Sequence, residues 1–353
     1  MARAQEPSQV VAIRLNPSPF IMANASVLPV GVVVPTLNAK SHLARHVKRL
    51  RELVPRVEEM VVVDSHSADG TAEYLREHLS LPKVRHLSHP PGLYASWNFG
   101  LSQLHAKYAY IATVGDAVSL ATLEQMVALA EQREADLLLT PPTLVSESGQ
   151  VSDQKWPIHD FIKRHRLTEA AEISGWKTFA WTALNVPAGL MGSSASNLYR
   201  TEVLQRHPFP VGFGHHGDTA WLLENALRLR IVLAPQIASE FLVHESANRA
   251  RASGDTPRRV LLGRLARHIM ERAKAEGRAW PNETDWCQAL DRFWDAMERW
   301  SAAREKYRLI RQGSPFWWLA PRAWQTRMDR NRLMKDLRQI THEALLRLTD
   351  YEG

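Results

Sequence analysis

The sequence predicts an α/β protein: a mostly parallel, Rossmann-like central sheet flanked by helices, followed by a C-terminal α-helical extension. Three observations predict it. Short β-branched runs, Val30–Pro35 (VGVVVP) and Met60–Val63 (MVVV), alternate with apolar stripes at helical spacing, as βαβ units do. Each run leads into a polar turn, Thr36-Leu37-Asn38 after the first and Asp64 to Thr71 (DSHSADGT) after the second. The last hundred residues then change character: Thr256 to Gly353 carries 20 Lys and Arg against 13 Asp and Glu, and 7 of the 12 tryptophans.

At 353 residues the chain can bury one large core and still carry an appendage. The net charge of +7 resides in the tail, so the body is neutral. The single cysteine, Cys287, excludes an internal disulfide, as in a reducing compartment. No apolar run approaches the roughly 18–20 residues that span a bilayer. No charged flank, apolar core and cleavage site follow one another at the N-terminus as a signal peptide requires. The expectation is a cytoplasmic protein.

Taken in order, residues 1–27, with Pro7, Pro17 and Pro19, read as a flexible lead-in. A body spans 28–255. Val30–Pro35 is a strand buried on both faces, and Leu43, Val47, Leu50 and Val54 stripe the helix after it. Met60–Val63 is a second strand ending in Asp64, and Ala72, Leu75 and Leu79 begin a second helix. Pro90-Pro91-Gly92 turns into a short helix carrying Trp97, Asn98 and Leu101. A strand from Tyr108 to Val114 ends in Gly115-Asp116. Parallel crossovers bring the tips after Pro35, Val63 and Val114 to one edge of the sheet, where open α/β folds bind ligands. From that tip alone Asp116 reads either as ligand chemistry or as a cap for the helix Leu120–Ala130.

Ala135–Thr140 is a further strand, whereas Pro141 to about Pro187 shows few regular stripes and reads as a long irregular segment. Its Trp156, Trp176, Phe179 and Trp181 suit either sugar rings or plain packing. Gly189–Tyr199 (GLMGSSASNLY) is small enough to let backbone approach a ligand. Asp218 opens a helix striped by Trp221, Leu222 and Ala226, and a strand at Ile231–Ala234 precedes Phe241-Leu242-Val243-His244. The adjacent His215 and His216 lack a second ligand pair at zinc spacing. There is no GxGxxG and no GxxxxGK[ST].

The tail, 256–353, holds amphipathic helices: Leu261, Leu265 and Ile269 in one, Trp286, Leu290, Phe293, Met297 and Trp300 in the next, Leu333, Leu337, Ile340 and Ala344 in the last. They fit a helical bundle packed on the body. Their basic residues, with Trp317, Trp318 and Trp324, also fit peripheral contact with an anionic membrane. No nucleic-acid module is present, and no nucleic-acid partner is expected.

VVVPTLN, VVVDSHSADGT and GLYASWNFGLSQLHAKYAYIATVGD, in that order and spacing, resemble family 2 glycosyltransferases of the GT-A fold, whose pattern is roughly DGxSxDGT, GxYDAxNxG and GxYxxxLNxxD. The resemblance implies a nucleotide-sugar half at 28–130 and an acceptor half at 131–255. It implies an inverting transferase that moves a sugar from a nucleoside-diphosphate sugar to a glycan or glycolipid acceptor, in cell-surface polysaccharide synthesis. It sets Pro35, Thr36 and Asn38 against the nucleotide, Asp64 at the base or ribose, Asp69 near the nucleotide loop and Asn98 in support of the donor pocket. Asp116 would be the acid of a DxD-type element holding Mg²⁺ or Mn²⁺, with His244 a further metal or diphosphate contact and Asp218 the catalytic base. The location implied is the cytoplasm, at the inner face of the membrane if the tail binds lipid.

Three positions depart from the family pattern. Ser65 stands where many relatives have a second acid, Thr113-Val114-Gly115-Asp116 keeps only the last acid, and Gly217 replaces the Glu before the base. The missing acids favour a rival reading: a catalytically weak GT-A relative that binds nucleotide sugar or glycan as a scaffold. Asp116 and Asp218 oppose it.

Overall fold

Alternating side chains organise the sheet. In β1 (Leu28–Thr36), Val30, Val32 and Val34 enter one core and Val33 the other, all fully buried. The same alternation runs through β2 (Val57–Asp64): Met60 and Val62 join the first set, Val61 and Val63 the second. A strand buried on both faces needs helices on both, which is why its sequence is continuously apolar. The computed structural model describes residues 26–146, 149–243, 256–278, 283–313, 317–319 and 321–350. The expected lead-in therefore lies almost wholly outside the described residues.

The main sheet has eight strands in the order β3-β2-β1-β4-β8-β5-β9-β7. Beyond β1 and β2 these are β3 (Val84–Ser88), β4 (Tyr108–Ile111), β5 (Leu137–Leu139), β7 (Ala171–Ile173), β8 (Leu198–Arg200) and β9 (Ile231–Leu233). β3, β2, β1 and β4 are mutually parallel, and β5 pairs parallel with β9. β8 runs antiparallel between β4 and β5, and β7 antiparallel to β9. A second sheet pairs β6 (Pro142–Ser146) with β10 (Ser239–Val243).

Helices α1 (Leu43–Leu53), α2 (Thr71–His78) and α4 (Leu120–Gln132) cover one face through Leu43, Val47, Leu50, Leu75, Leu123 and Met126. The other face takes α3 (Leu93–Ser102), α5 (Pro157–Arg164), α6 (Gly175–Asn185), α7 (Thr201–Arg206) and α8 (Gly217–Asn225). The tail forms α9 (Thr256–Ala275), α10 (Glu283–Gln312) and α11 (Pro321–Asp350). Their Leu262, Ile269, Phe293, Trp294, Met297 and Leu337 share one continuous core with Trp181 and Trp221 of the body. Burying each such side chain contributes about 1.5–3 kcal/mol, so the tail and the body stabilise one another.

The structure departs from the sequence reading in three places. The segment from Pro141 to Pro187 is not irregular: it holds β6, α5, β7 and α6. Thr178 to Leu184 of α6 are all buried, and a helix enclosed on every side shows no one-sided stripe. The fourth strand stops at Ile111 rather than Val114, because Thr113 to Asp116 closes a turn in which Asp116 N–H donates to Thr113 O at 3.0 Å. β3 escaped notice because it is a half-buried edge strand reading VRHLS.

Candidate active site

Three parallel strand tips meet at one edge, cross-linked by side chains. Thr36 and Asp64 are register partners of β1 and β2, and the Thr36 hydroxyl donates to Asp64 Oδ1 at 3.3 Å. Asp64 Oδ2 accepts the Ser67 amide at 3.0 Å. Asn38 joins the two loops twice: its amide donates to Ser67 Oγ, and its Oδ1 accepts the Ala68 amide, both at 2.9 Å. Asp69 adds a third link, Oδ2 accepting the Lys40 amide at 3.0 Å and Oδ1 the Thr71 hydroxyl at 2.6 Å. These donors, the Thr71 hydroxyl first, hold the exposed Asp69 carboxyl below its usual range.

Asn38 and His66 both adopt left-handed φ, +46° and +56°. Asn tolerates that region and His rarely does, so the turn is held by its cross-links. Gly70, at φ +85°, is the one residue type that meets its position without strain. Pro35, in the last turns of β1, is partly exposed beside the buried Thr36.

Asp116 lies at the third tip, 8% exposed. Its Oδ2 accepts from the Thr113 hydroxyl at 2.9 Å, and its Oδ1 from the Leu242 amide of β10 at 2.9 Å. The helix behind it is capped by Ser119, which accepts the Thr122 amide at 3.0 Å, so Asp116 is not the cap. Beneath the tip, His46 of α1 is buried, and its Nδ1 accepts the Gly115 amide at 3.4 Å. Burial pulls its pKa down to about 4, against a smaller opposing pull from the Ala112 backbone.

Asp218 lies in the first turn of α8. Its Oδ1 accepts the Thr219 amide at 2.7 Å and its Oδ2 the Ser194 hydroxyl at 3.4 Å. Burial of the carboxyl raises its pKa, and the Thr219, Tyr94 and Ser194 donors pull the other way. A carboxylate that holds a proton more readily than usual is suited to general-base work near neutral pH. The buried Tyr110 links the segment after Asp116 to the 194–196 segment that bonds Asp218: its hydroxyl donates to Ala195 O at 2.9 Å and accepts the Val118 amide at 2.8 Å.

Asn98 is fully committed to backbone. Its Nδ2 donates to Phe209 O at 2.8 Å and its Oδ1 accepts the Phe209 amide at 2.9 Å, holding the loop that leads to Asp218. His244, and with it the expected metal or diphosphate contact, lies outside the described residues. Among the described residues no group of three or more His, Cys, Asp and Glu could hold a metal by itself. A single carboxylate fits Mg²⁺ or Mn²⁺ where substrate phosphates supply other ligands.

Sequence reasoning missed Ser65, Ser96, Tyr94 and Ser194. Ser65 is buried and bonds Ser96 Oγ of α3 at 2.7 Å, which fixes the second tip to the helix carrying Tyr94. The signal for Tyr94 lay within GLYASWNFG, but its partners Phe209 and His215 are more than a hundred residues away. In the segment from Pro141 onward, Phe161, Phe179 and Trp181 are core, and Trp176 packs on Trp286 of the tail. Trp156 is partly exposed against Phe241, ring centroids 4.8 Å apart.

Residues 31–182 match the family model for glycosyl transferase family 2. No curated protein matches the chain. Among solved structures, TarS 1–349 from S. aureus is 15% identical and aligns over 92% of this chain and 93% of that one, with a TM-score of 0.53. The same TarS segment in complex with UDP-GlcNAc gives 0.55 at the same identity and coverage. The mannosyltransferase PcManGT from Pyrobaculum calidifontis, in complex with GDP-Man and Mn²⁺, is 16% identical over 93% of this chain and 88% of that one, at 0.50. At such identities the solved structures establish the shared fold, and the family match covers the strand tips and loops that carry Thr36, Asp64, Asn98 and Asp116. Over residues 31–182, less than half of the chain, the sequence is therefore similar to glycosyl transferase family 2.

Proposed function

We propose that the protein is an inverting glycosyltransferase that moves a sugar from a nucleoside-diphosphate sugar to a glycan or glycolipid acceptor, in cell-surface polysaccharide synthesis. The observation that carries this reading is the meeting of three parallel strand tips at one edge: the hydrogen-bonded Thr36–Asp64 pair, the loops stapled by Asn38 and Asp69, and the Asp116 turn. Pro35, Thr36, Asn38, Asp64 and Asp69 shape the nucleotide side, with Asn98 holding the wall behind it. The acceptor hydroxyl attacks the anomeric carbon as the bond to the diphosphate oxygen breaks, so configuration inverts. Its proton passes to Asp218, whose burial favours that transfer. Mg²⁺ or Mn²⁺ bound by Asp116 and the diphosphate would offset the charge of the leaving group.

The neighbours support the donor class, since one TarS complex holds UDP-GlcNAc and the mannosyltransferase complex holds GDP-Man with Mn²⁺. A cytoplasmic place at the inner face of a membrane fits the tail. Trp318 and Trp324 are more than half exposed, and Arg327 lies over the Trp324 ring at 5.9 Å. Among the described residues no helix is long and apolar enough to cross a membrane, so such contact would be peripheral.

Calorimetric titration with UDP, GDP, ADP, CDP and dTDP, with and without Mn²⁺, tests the donor side. One diphosphate is expected to bind, and more tightly with Mn²⁺. Turnover is read as that diphosphate released from its sugar nucleotides, with water or short oligosaccharides as acceptor. Binding without turnover would leave the scaffold reading, and binding of none would remove the glycosyltransferase reading.

A further inference from the structure

Where α9 packs on α10, arginines of the first helix meet acids of the second. Arg264 Nε donates to Glu298 at 3.4 Å, and Arg267 donates to Asp295 at 2.6 Å. The helices approach closely there, since a Cβ at Gly263 would fall on the Met297 methyl. The first turn of α9 breaks this pattern. Arg259 and Arg304 both lie over the ring of the buried Trp300, each with its Cζ 5.6 Å from the centroid. An arginine of α10 thus stands where the same helix pair elsewhere supplies a carboxylate. Arg259 is half-buried, and no acid among the described residues bonds it. A desolvated cation is normally paired with an acid, and an aromatic face offsets only part of the lost hydration. Burial first, and the Arg304 charge second, lower the Arg259 pKa accordingly. Arg258, next in the chain, reaches the turn before Asp218. Its guanidinium atoms lie 2.6–2.8 Å from where a Cβ at Gly214 would stand, and Gly214 has φ +59°. Glycine is needed there for the backbone and for the arginine alike.

We propose that Arg258, Arg259 and Arg304 form an oxyanion site beside the turn that carries Asp218, and that the acceptor is an acidic glycan or glycolipid whose phosphate or carboxylate group binds there. This names the acceptor class of the function proposed above and rests on that reading for the role of Asp218. A planar guanidinium donates two parallel hydrogen bonds to either group. The guanidinium nitrogens of Arg259 are not sealed from solvent, so an anion can reach them. Bound there, it supplies the counter-charge that α10 supplies further along α9. An uncharged acceptor leaves the two cations over Trp300 without one, so the site selects by charge.

The test follows arginine Nε–Hε resonances of the full chain, labelled with ¹⁵N-arginine, in titrations at constant ionic strength. The probes are inorganic phosphate, D-glucuronate and, as the uncharged control, D-glucose. Single Gln variants at 258, 259, 264 and 304 assign the resonances by their disappearance. Phosphate or glucuronate is expected to move Arg259 and Arg304, and the tighter of the two names the acidic group. Arg264, which already holds Glu298, is expected to stay still, as is every resonance in glucose. Arg259→Gln is expected to weaken the anion at least roughly tenfold, as for loss of a hydrogen bond to a charged group, with UDP and GDP affinity kept. Arg259→Glu restores an acid to the first turn, so it is expected to melt no lower than wild type while binding neither anion. Resonances unmoved by both anions overturn the proposal, and so do equal shifts at Arg264. A lower melting temperature in Arg259→Glu with anion binding kept would make Arg259 a packing residue. Displacement of the anion by a nucleoside diphosphate would put the site on the donor and overturn its assignment to the acceptor. If no nucleoside diphosphate binds the wild type, the glycosyltransferase reading falls and the acceptor assignment with it, whatever the anion titration gives.

Discussion

The Asp116 carboxylate accepts the backbone amide of Leu242 at 2.9 Å, across 126 residues of chain. The contact ties the turn after β4 to the strand β10 of the second sheet. With the Thr113 hydroxyl on the other oxygen at 2.9 Å, it fixes the orientation of the carboxylate.

Asp116→Asn keeps an oxygen for the Leu242 amide and removes the charge, so the fold is expected to survive. Diphosphate affinity in Mn²⁺ is expected to drop by at least about tenfold, the lower end of what weakened metal ligation costs. Affinity without metal is expected to change little. Calorimetry in both conditions checks this, and equal affinities in Mn²⁺ for the two proteins would take Asp116 out of cation binding.

Asn98→Ala leaves the amide and carbonyl of Phe209 without their partners in a part-buried place. The expected loss is about 1–3 kcal/mol of stability, the cost of an unsatisfied backbone group. Because the clamp holds the loop before Asp218, turnover is expected to fall more than diphosphate affinity. Chemical denaturation and the release assay measure the two.

His46 supplies a pH signature. Its folded-state pKa of about 4 lies below the ordinary 6.5, so between those values the unfolded chain binds the extra proton. Stability contributed by the neutral ring is therefore present above about pH 6.5 and is lost as pH falls toward 4. The full shift corresponds to on the order of 3 kcal/mol. Denaturation curves for wild type and His46→Gln are expected to diverge in slope over that window, with the variant flatter, and parallel pH profiles would contradict it.

Trp318 and Trp324 are 53% and 59% exposed, and Trp324 Nε1 donates to Trp318 O at 2.8 Å. Trp317 is less exposed, packed on Tyr307 with Arg311 over its ring at 5.0 Å. Replacing Trp318 and Trp324 together with Ala is expected to weaken binding to vesicles rich in phosphatidylserine several-fold at low salt, with diphosphate release unchanged. Wild-type protein that ignores such vesicles would end the membrane reading.

The legible part of the fold was the part written in local pattern. The β-branched runs of β1 and β2 and the Leu43, Val47, Leu50 stripe of α1 are buried as their spacing implies. The shared edge of the tips after Thr36, Asp64 and Asp116 followed from parallel crossovers. What escaped was set by distant contacts. α6 is enclosed on all sides, so its apolar residues carry no period, and β3 is an edge strand whose residues are half-buried. Tyr94 and Ser194 gain their meaning from Gly217 and Asp218, on elements far along the chain. Ser65 looked like a lost acid and is a buried link to Ser96.

Asp218 carries the central claim. Burial raises its folded-state pKa, so the folded protein holds more protons than the unfolded chain between the two values, and stability falls as pH rises through that window. Above that window the charged carboxylate costs stability, and Asp218→Asn, whose one oxygen can still accept the Thr219 amide, is expected to melt no lower than wild type there. The direct measurement is diphosphate release by Asp218→Asn beside its diphosphate affinity. The account predicts turnover lowered roughly 10²–10⁴-fold, the usual worth of general-base catalysis, with affinity unchanged. Near-normal turnover would contradict it and make Asp218 a residue of the helix start alone.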